Sequence, residues 1–209
     1  MEKVGRPKQV VEIGAYLSQH LVCLPFVHDP QCRIQLIEPN PKCVRELNAT
    51  FKTFANIEIY SFAIAPLAGR VNLMIPKAYG RHSAAEASAF LESLEGSPYT
   101  SREQAGFPEK LKRKAVEAVT MDRFDDGSID GLVIDTEGSE WYALENLVSR
   151  PAVISVEMEG PSSYRNPHFD DIMNWMNSEN YQLHQIESVN RPEGRVPTDY
   201  IFVRNDLDN

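Results

Sequence analysis

The sequence predicts an α/β fold built on a mostly parallel sheet with helices on both faces. Three observations lead there. Short runs rich in Val and Ile alternate along the chain with stretches of helical period, and Gly, Pro and Asn mark the changeovers. The last two apolar runs, "YQLHQIESV" and "TDYIFVRN", are separated by a short Pro/Gly-bearing link, which suits an antiparallel pair. Alternation of strand and helix is otherwise the pattern of a parallel sheet covered on both sides.

Taken in order, "QVVEIGAYL" reads as a buried strand that ends at Gly14, and Pro25 limits the next segment to a short helix. "CRIQLIEPN" is the second strand. Asn40 as N-cap and Pro41 at the first helical position open a helix whose Val44, Leu47, Phe51 and Phe54 form one apolar stripe. "IEIYSFAIA" and "RVNLMIP" follow as strands around a "PLAG" turn. "KAVEAVTM" reads as an edge strand and "IDGLVID" as an interior one. A helix is expected over 139–148, with Trp141, Leu144, Leu147 and Val148 inward and Pro151 beyond its end. "AVISVEME" is the next strand. A last helix is expected over 167–178, with Asn166 as cap and Phe169, Ile172, Met173 and Met176 buried.

The chain of 209 residues suits a single domain over 1–209. Between Lys77 and Lys114 it carries a polar stretch, with a short helix expected over 84–94. Inserts of this length in compact domains are commonly functional, and this one reads as a substrate-side lid. A formal net charge of −9 argues against nucleic acid as a partner. The basic run "KLKRKAV" at Lys110 to Val116 reads as a solvated face. Cys23, Cys32 and Cys43 are spaced too widely for a zinc site and read as core thiols, which suits a reducing compartment. With no signal-like segment and no long apolar window, a cytoplasmic protein without a membrane span is expected. Self-association through the last strand or the insert stays open.

Ligands of such sheets bind beyond the carboxyl ends of the strands. Gly14 there follows "VVEI", with Glu12 one strand period before it and Ala15 after it. A glycine offers a backbone position that a Cβ would obstruct, leaving room for a ligand. Glu38 ends the second strand, where an acid can accept both hydroxyls of a ribose. Because "GAYLSQH" holds one glycine where dinucleotide binders have three, a nucleoside cofactor without a pyrophosphate fits better, S-adenosylmethionine being the common one. A well-made turn at Gly14 and a plain strand-end carboxylate at Glu38 are the competing readings.

"VVEIGAYLSQ", "IEPNP", "NIEIYSFAIAPLAGRV", "TMDRF" and "IDGLVIDTEGSEWYALENL", in this order and followed by "SVEME", make the chain resemble an FkbM-type methyltransferase domain from Val10 to Glu159. The resemblance implies the Rossmann-like methyltransferase fold, a mostly parallel seven-stranded sheet with a final antiparallel strand. It also implies S-adenosylmethionine as cofactor and methyl transfer to a hydroxyl oxygen of a sugar, glycan or other small molecule. Glu12 and Gly14 match the family's first cofactor loop, Glu38 its ribose-binding acid, and Asp135, Glu137, Gly138 and Glu140 the signature after the fourth strand. Tyr16 stands where the family usually has Asn, Ser18 where it has a second Gly, and Val133 where it has Lys.

Methyl transfer to a neutral alcohol benefits from a base or a metal that lowers its pKa. Asp135 is placed for that task and for cofactor contact, Glu137 could assist, and His82 in the insert could reach a substrate. Glu157 and Glu159 repeat the i,i+2 spacing, so four carboxylates are expected to converge. Convergence raises a carboxyl pKa or recruits a divalent cation such as Mg²⁺. Tyr79, Arg81 and Tyr164 are candidates for an acceptor wall, and Trp141 for an anchor of helix to sheet. A metal-dependent hydrolase using the same acids, or a binding subunit that kept the fold without the chemistry, are the alternatives.

Overall fold

A computed structural model describes residues 6–17, 26–76, 89–92, 111–160, 164–191 and 194–205. In chain order it holds β1 (Gln9–Ile13), β2 (Arg33–Ile37), α1 (Pro41–Thr50), β3 (Ile57–Tyr60), β4 (Ala63–Ile64), β5 (Gly69–Pro76), β6 (Phe90–Leu91) and β7 (Leu111–Val119). Then follow α2 (Met121–Phe124), β8 (Gly131–Ile134), α3 (Glu140–Leu144), β9 (Val153–Glu157), β10 (Glu159–Gly160), β11 (Tyr164–Arg165), α4 (Phe169–Ser178), β12 (Tyr181–Arg191) and β13 (Gly194–Arg204).

Seven strands form the main sheet in the order β12-β13-β9-β8-β1-β2-β3. All are parallel except β13, which runs against both β9 and β12. This is the Rossmann-like methyltransferase architecture with a reversed strand near one edge. β1 is buried along its whole length because it pairs on both sides and is covered on both faces. Val11 and Ile13 pack with Leu132, Ile134, Ile154 and Val156 and with residues of α3 and α4. Val10 looks the other way, toward Ile34, Leu36 and the α1 residue Leu47. The expected cap of α1 is present: Asn40 Oδ1 accepts from Lys42 N at 3.1 Å, ahead of Pro41.

A second sheet of four strands, in the order β4-β7-β5-β6, follows from the stretch between β3 and α2. It overturns three local expectations. The run "IEIYSFAIA" splits into β3 in the main sheet and β4 in the small one, with Tyr60 and Phe62 packed on Phe124 of α2 at the crossing. Part of the helix expected over 84–94 is instead β6, whose Leu91 pairs with Leu73 of β5; 84–88 and 93–94 lie outside the described residues. β7 is flanked by β4 and β5 rather than being an edge.

The helix expected over 139–148 stops at Leu144. Asp125 takes the backbone N–H groups of Val148 and Ser149, at 2.9 and 2.6 Å, and turns the chain outward, leaving Val148 53% exposed rather than inward. The last helix begins two residues late. Asn166 Oδ1 accepts from His168 N, a side-chain turn that sets His168 as the cap. Cys32 and Cys43 are buried thiols, and Cys23 lies outside the described residues. Among the described residues no helix is long and apolar enough to cross a membrane.

Candidate active site

β1 pairs with β2 on one side and with β8 on the other, so the chain order reverses between β1 and β8. Parallel sheets open a crevice there, beyond the carboxyl ends. The cleft at this point encloses about 490 Å³, part of it open to solvent. Gly14 and Tyr16 line it from the loop after β1, Glu38 and Pro39 from the end of β2, and Asp135, Thr136 and Ser139 from the loop after β8. The opposite wall is apolar, made of Phe62, Ile64, Leu73, Ala89 and Leu91.

The loop after β1 is tied tightly to β2. Gly14 N and Ala15 N both donate to Ile37 O, at 3.0 and 3.1 Å. Gly14 has φ +81, and a Cβ on it would lie 1.7 Å from the Asp135 carbonyl oxygen. The obstruction that glycine relieves is therefore the protein's own backbone, where the sequence suggested a ligand. Ala15 packs into the apolar cluster around Leu36, and Glu12 is fully buried at 0% exposure below the cleft. Tyr16 has φ +46, a left-handed conformation costly for a residue with a bulky side chain and better tolerated by Asn. The resemblance has Asn at this position, so the departure falls where the backbone is strained.

Glu38, 6% exposed, holds this loop closed. Oε2 accepts from Tyr16 N at 2.8 Å and Oε1 from Asn40 N at 2.6 Å, and each oxygen keeps a lone pair for a further donor. Burial pushes the carboxyl up to about 7, with the two backbone bonds opposing and the charges of Asp135 and Glu12 adding to the rise.

The loop after β8 brings the acids together. Carboxylate oxygens of Asp135, Glu137 and Glu157 lie within 4.8 Å of one another, all three residues partly buried. Glu137 does not reach the group by continuing the strand; it sits at φ +56 in the turn between Thr136 and Gly138. Burial, followed by the charges of Asp135 and Glu137, pushes the Glu157 carboxyl well above the usual range, and it shares a hydrogen bond with Asp135. Glu157 Oε2 is buried with no hydrogen-bond partner among the described residues. The expected fourth acid is elsewhere: Glu159 accepts from Tyr200 Oη at 2.7 Å.

Glu140, the remaining acid of the signature, is sealed at 0% exposure. It accepts from Thr136 N, Thr136 Oγ1 and Gly138 N, and Asn166 Nδ2 donates to its other oxygen. Burial raises its carboxyl too. Trp141 stacks on His168 with ring centroids 6.2 Å apart and packs against the main core, an anchoring position. His82, Tyr79 and Arg81 lie outside the described residues, and so does the side chain of Tyr164. The sequence did not single out Pro39, Phe62, Leu73, Leu91, Thr136 or Ser139 as cleft residues. Thr136 and Ser139 were marked only by lying inside the signature, and much of the apolar wall was hidden because β4 and β6, which carry Ile64 and Leu91, are two residues long.

Comparison with solved structures agrees with this architecture. Fibrillarin from Aeropyrum pernix, in complex with natively bound S-adenosyl-L-methionine, is similar at 9% identity with a TM-score of 0.52, over 97% of this chain and 69% of that one. Precorrin-6y C5,15-methyltransferase from Geobacter metallireducens is 13% identical with a TM-score of 0.45, over 96% and 82% of the two chains. Magnesium protoporphyrin IX methyltransferase from Synechocystis PCC 6803, with bound S-adenosylmethionine, is 9% identical with a TM-score of 0.48, over 95% and 71%. No curated protein matches the chain by sequence. The family model described as the methyltransferase FkbM domain matches residues 12–183, a span that holds Gly14, Glu38 and all three clustered carboxylates; the chain belongs to the FkbM methyltransferase family.

Proposed function

We propose that this protein transfers a methyl group from S-adenosylmethionine to a hydroxyl oxygen of a sugar or other small acceptor in the cleft between β1 and β8. The observation that carries the reading is Asp135, which lines the same cleft as Gly14 and Glu38 and has the carboxylates of Glu137 and Glu157 grouped with its own. Family membership supports methyl transfer, and the bound cofactor of the fibrillarin structure supports S-adenosylmethionine.

In this reading Glu38 accepts the ribose hydroxyls through its remaining lone pairs, while Glu12, Gly14 and Ala15 keep the loop beside it in shape. Asp135 bounds the cofactor on the other side. When bound, S-adenosylmethionine supplies an electrophilic methyl carbon on a sulfonium. An acceptor hydroxyl that took this methyl group would give up its proton to the carboxylates as the carbon–oxygen bond formed and the carbon–sulfur bond broke. Asp135 is the receiving base. Glu157 shares a hydrogen bond with it, and burial together with the charges of Asp135 and Glu137 favours the protonated form of Glu157. The insert over 77–114 is the proposed lid, with His82 as a second group able to touch the acceptor.

The same three carboxylates are the natural ligands for a hard cation such as Mg²⁺. Calorimetric titration with S-adenosylhomocysteine, with and without Mg²⁺, tests the reading together with a transfer assay over a panel of sugars and polyols. Micromolar binding that Glu38→Ala abolishes is expected. Asp135→Asn should lower transfer by about 10²–10⁴-fold, the usual contribution of a positioned base. A transfer rate that depends on Mg²⁺ would make the triad a metal site instead of a proton acceptor. Absence of cofactor binding to the unaltered protein would overturn the proposal.

A further inference from the structure

The basic run has no role in the methyl-transfer scheme, yet it forms the first half of β7, beside the cleft wall. Register divides its charges between the two faces of the small sheet. Lys114 is directly opposite Leu73 and Lys112 opposite Ile75. Leu73 and its partner Leu91 line the cleft, and directly opposed residues present their side chains on the same face, with Cβ atoms about 5 Å apart. Val116 and Ala118, the next two residues on that face of β7, are buried in the small sheet's core. Lys112 and Lys114 thus continue the cleft-side face outward into solvent.

The charges on the two faces are treated differently. On the outer face, Arg113 is paired with Glu92, and Arg70 lies opposite Glu117. On the cleft face, Lys112 and Lys114 are exposed and form no ion pair or hydrogen bond among the described residues. No acid is opposite either of them in the ladder. Two cations on alternate residues of one strand, with no acid paired to either among the described residues, make a local field that favours an anion. Asp135 lines the main-sheet side of the cleft with the carboxylates of Glu137 and Glu157 close to its own, so an anionic group would settle on the opposite side, away from them.

We propose that the acceptor carries an anionic oxygen group, phosphate or carboxylate, and that Lys112 and Lys114 hold it while its hydroxyl is presented to Asp135. The inference rests on the methyl-transfer reading of this cleft. It makes the two lysines positioning residues for the acceptor, and it leaves the cofactor side untouched.

The test uses the full chain saturated with S-adenosylhomocysteine and titrated with inorganic phosphate, and separately with acetate, at constant ionic strength, followed by backbone amide shifts. Saturable shifts centred on Lys112 to Lys114 are expected, with a tenfold or greater loss of affinity in a Lys112→Gln, Lys114→Gln double variant whose S-adenosylhomocysteine affinity is unchanged. Stronger binding of phosphate would assign a phosphorylated acceptor, and stronger binding of acetate a carboxylated one. A response no larger than at exposed Lys52, or one that survives in the double variant, overturns the inference while leaving the methyl-transfer reading intact. Failure of S-adenosylhomocysteine to bind overturns both.

Discussion

The loops after β1 and after β8 solve one problem in the same way and end up with different tasks. Each leaves a buried parallel strand, turns through a left-handed residue that is not glycine, and donates backbone N–H to a buried carboxylate. In the first the strained residue is Tyr16 and the carboxylate is Glu38; in the second they are Glu137 and Glu140. Burial raises both carboxyls. The difference is access: Glu38 lines the cleft, whereas Glu140 is closed in by Asn166 and its own loop. Identical chemistry becomes a binding group in one place and a structural clasp in the other.

Breaking the clasp should have the largest effect. Glu140→Ala strands Thr136 N, Gly138 N and the Asn166 amide in a buried site, and each such group costs about 1–3 kcal/mol. We expect a loss of at least about 3 kcal/mol in chemical denaturation, with cofactor binding failing only because the fold fails. Glu38→Gln is milder in stability and sharper in function. Its amide nitrogen cannot accept from both Tyr16 N and Asn40 N, and S-adenosylhomocysteine affinity should drop roughly ten- to a hundredfold, the range for losing a charged hydrogen bond. A Gln variant that binds as well as the parent would place Glu38 with Glu140, as a clasp.

pH separates the two acids without substitution. An unfolded chain releases the Glu38 proton near 4.5, while the folded protein holds it to about 7. Between those values the folded state binds more protons, so the stability of the cofactor-free protein should fall as pH rises through this window. The upward shifts of Glu140 and Glu157 act in the same direction. Cofactor affinity should move the opposite way, rising by about tenfold or less from pH 6 to pH 8 as Glu38 becomes the better acceptor for ribose hydroxyls. Thermal melts and calorimetry across that range read the two trends, and parallel trends would remove Glu38 from the cofactor. The smallest effect concerns strain. Tyr16→Gly and Glu137→Gly should each raise the unfolding free energy, read by chemical denaturation, by up to about 1 kcal/mol, because glycine accepts a left-handed backbone. Only the second should slow methyl transfer.

Strand ends are readable from the sequence because each apolar run stops abruptly at a glycine or an acid, which puts Gly14, Glu38 and Asp135 at one edge from the pattern alone. Glu38 and Glu140 could not be told apart, since burial of a carboxylate depends on what crosses above it, here Asn166 from 26 residues away. The small sheet was hidden for another reason. Two-residue strands such as Ala63–Ile64 and Phe90–Leu91 have no period to detect, and their pairing is decided by β5 and β7. Likewise nothing within 139–148 announces the end of α3; the cause is Asp125, remote in sequence, capturing Val148 and Ser149.

The pairing of β1 with β8 also bears on how the protein is made. Lys8 N donates to Asp130 Oδ2 across a separation of 122 residues, and β1 gains its second neighbour only at β8. At about 5–20 residues per second, a ribosome needs roughly 6–25 s to deliver that partner after β1 has emerged. Throughout this interval a strand that is buried along its whole length in the finished sheet has one open edge, the condition under which nascent chains pair with each other. Yield in cells should therefore follow elongation rate and chaperone supply more closely than the stability of the finished fold.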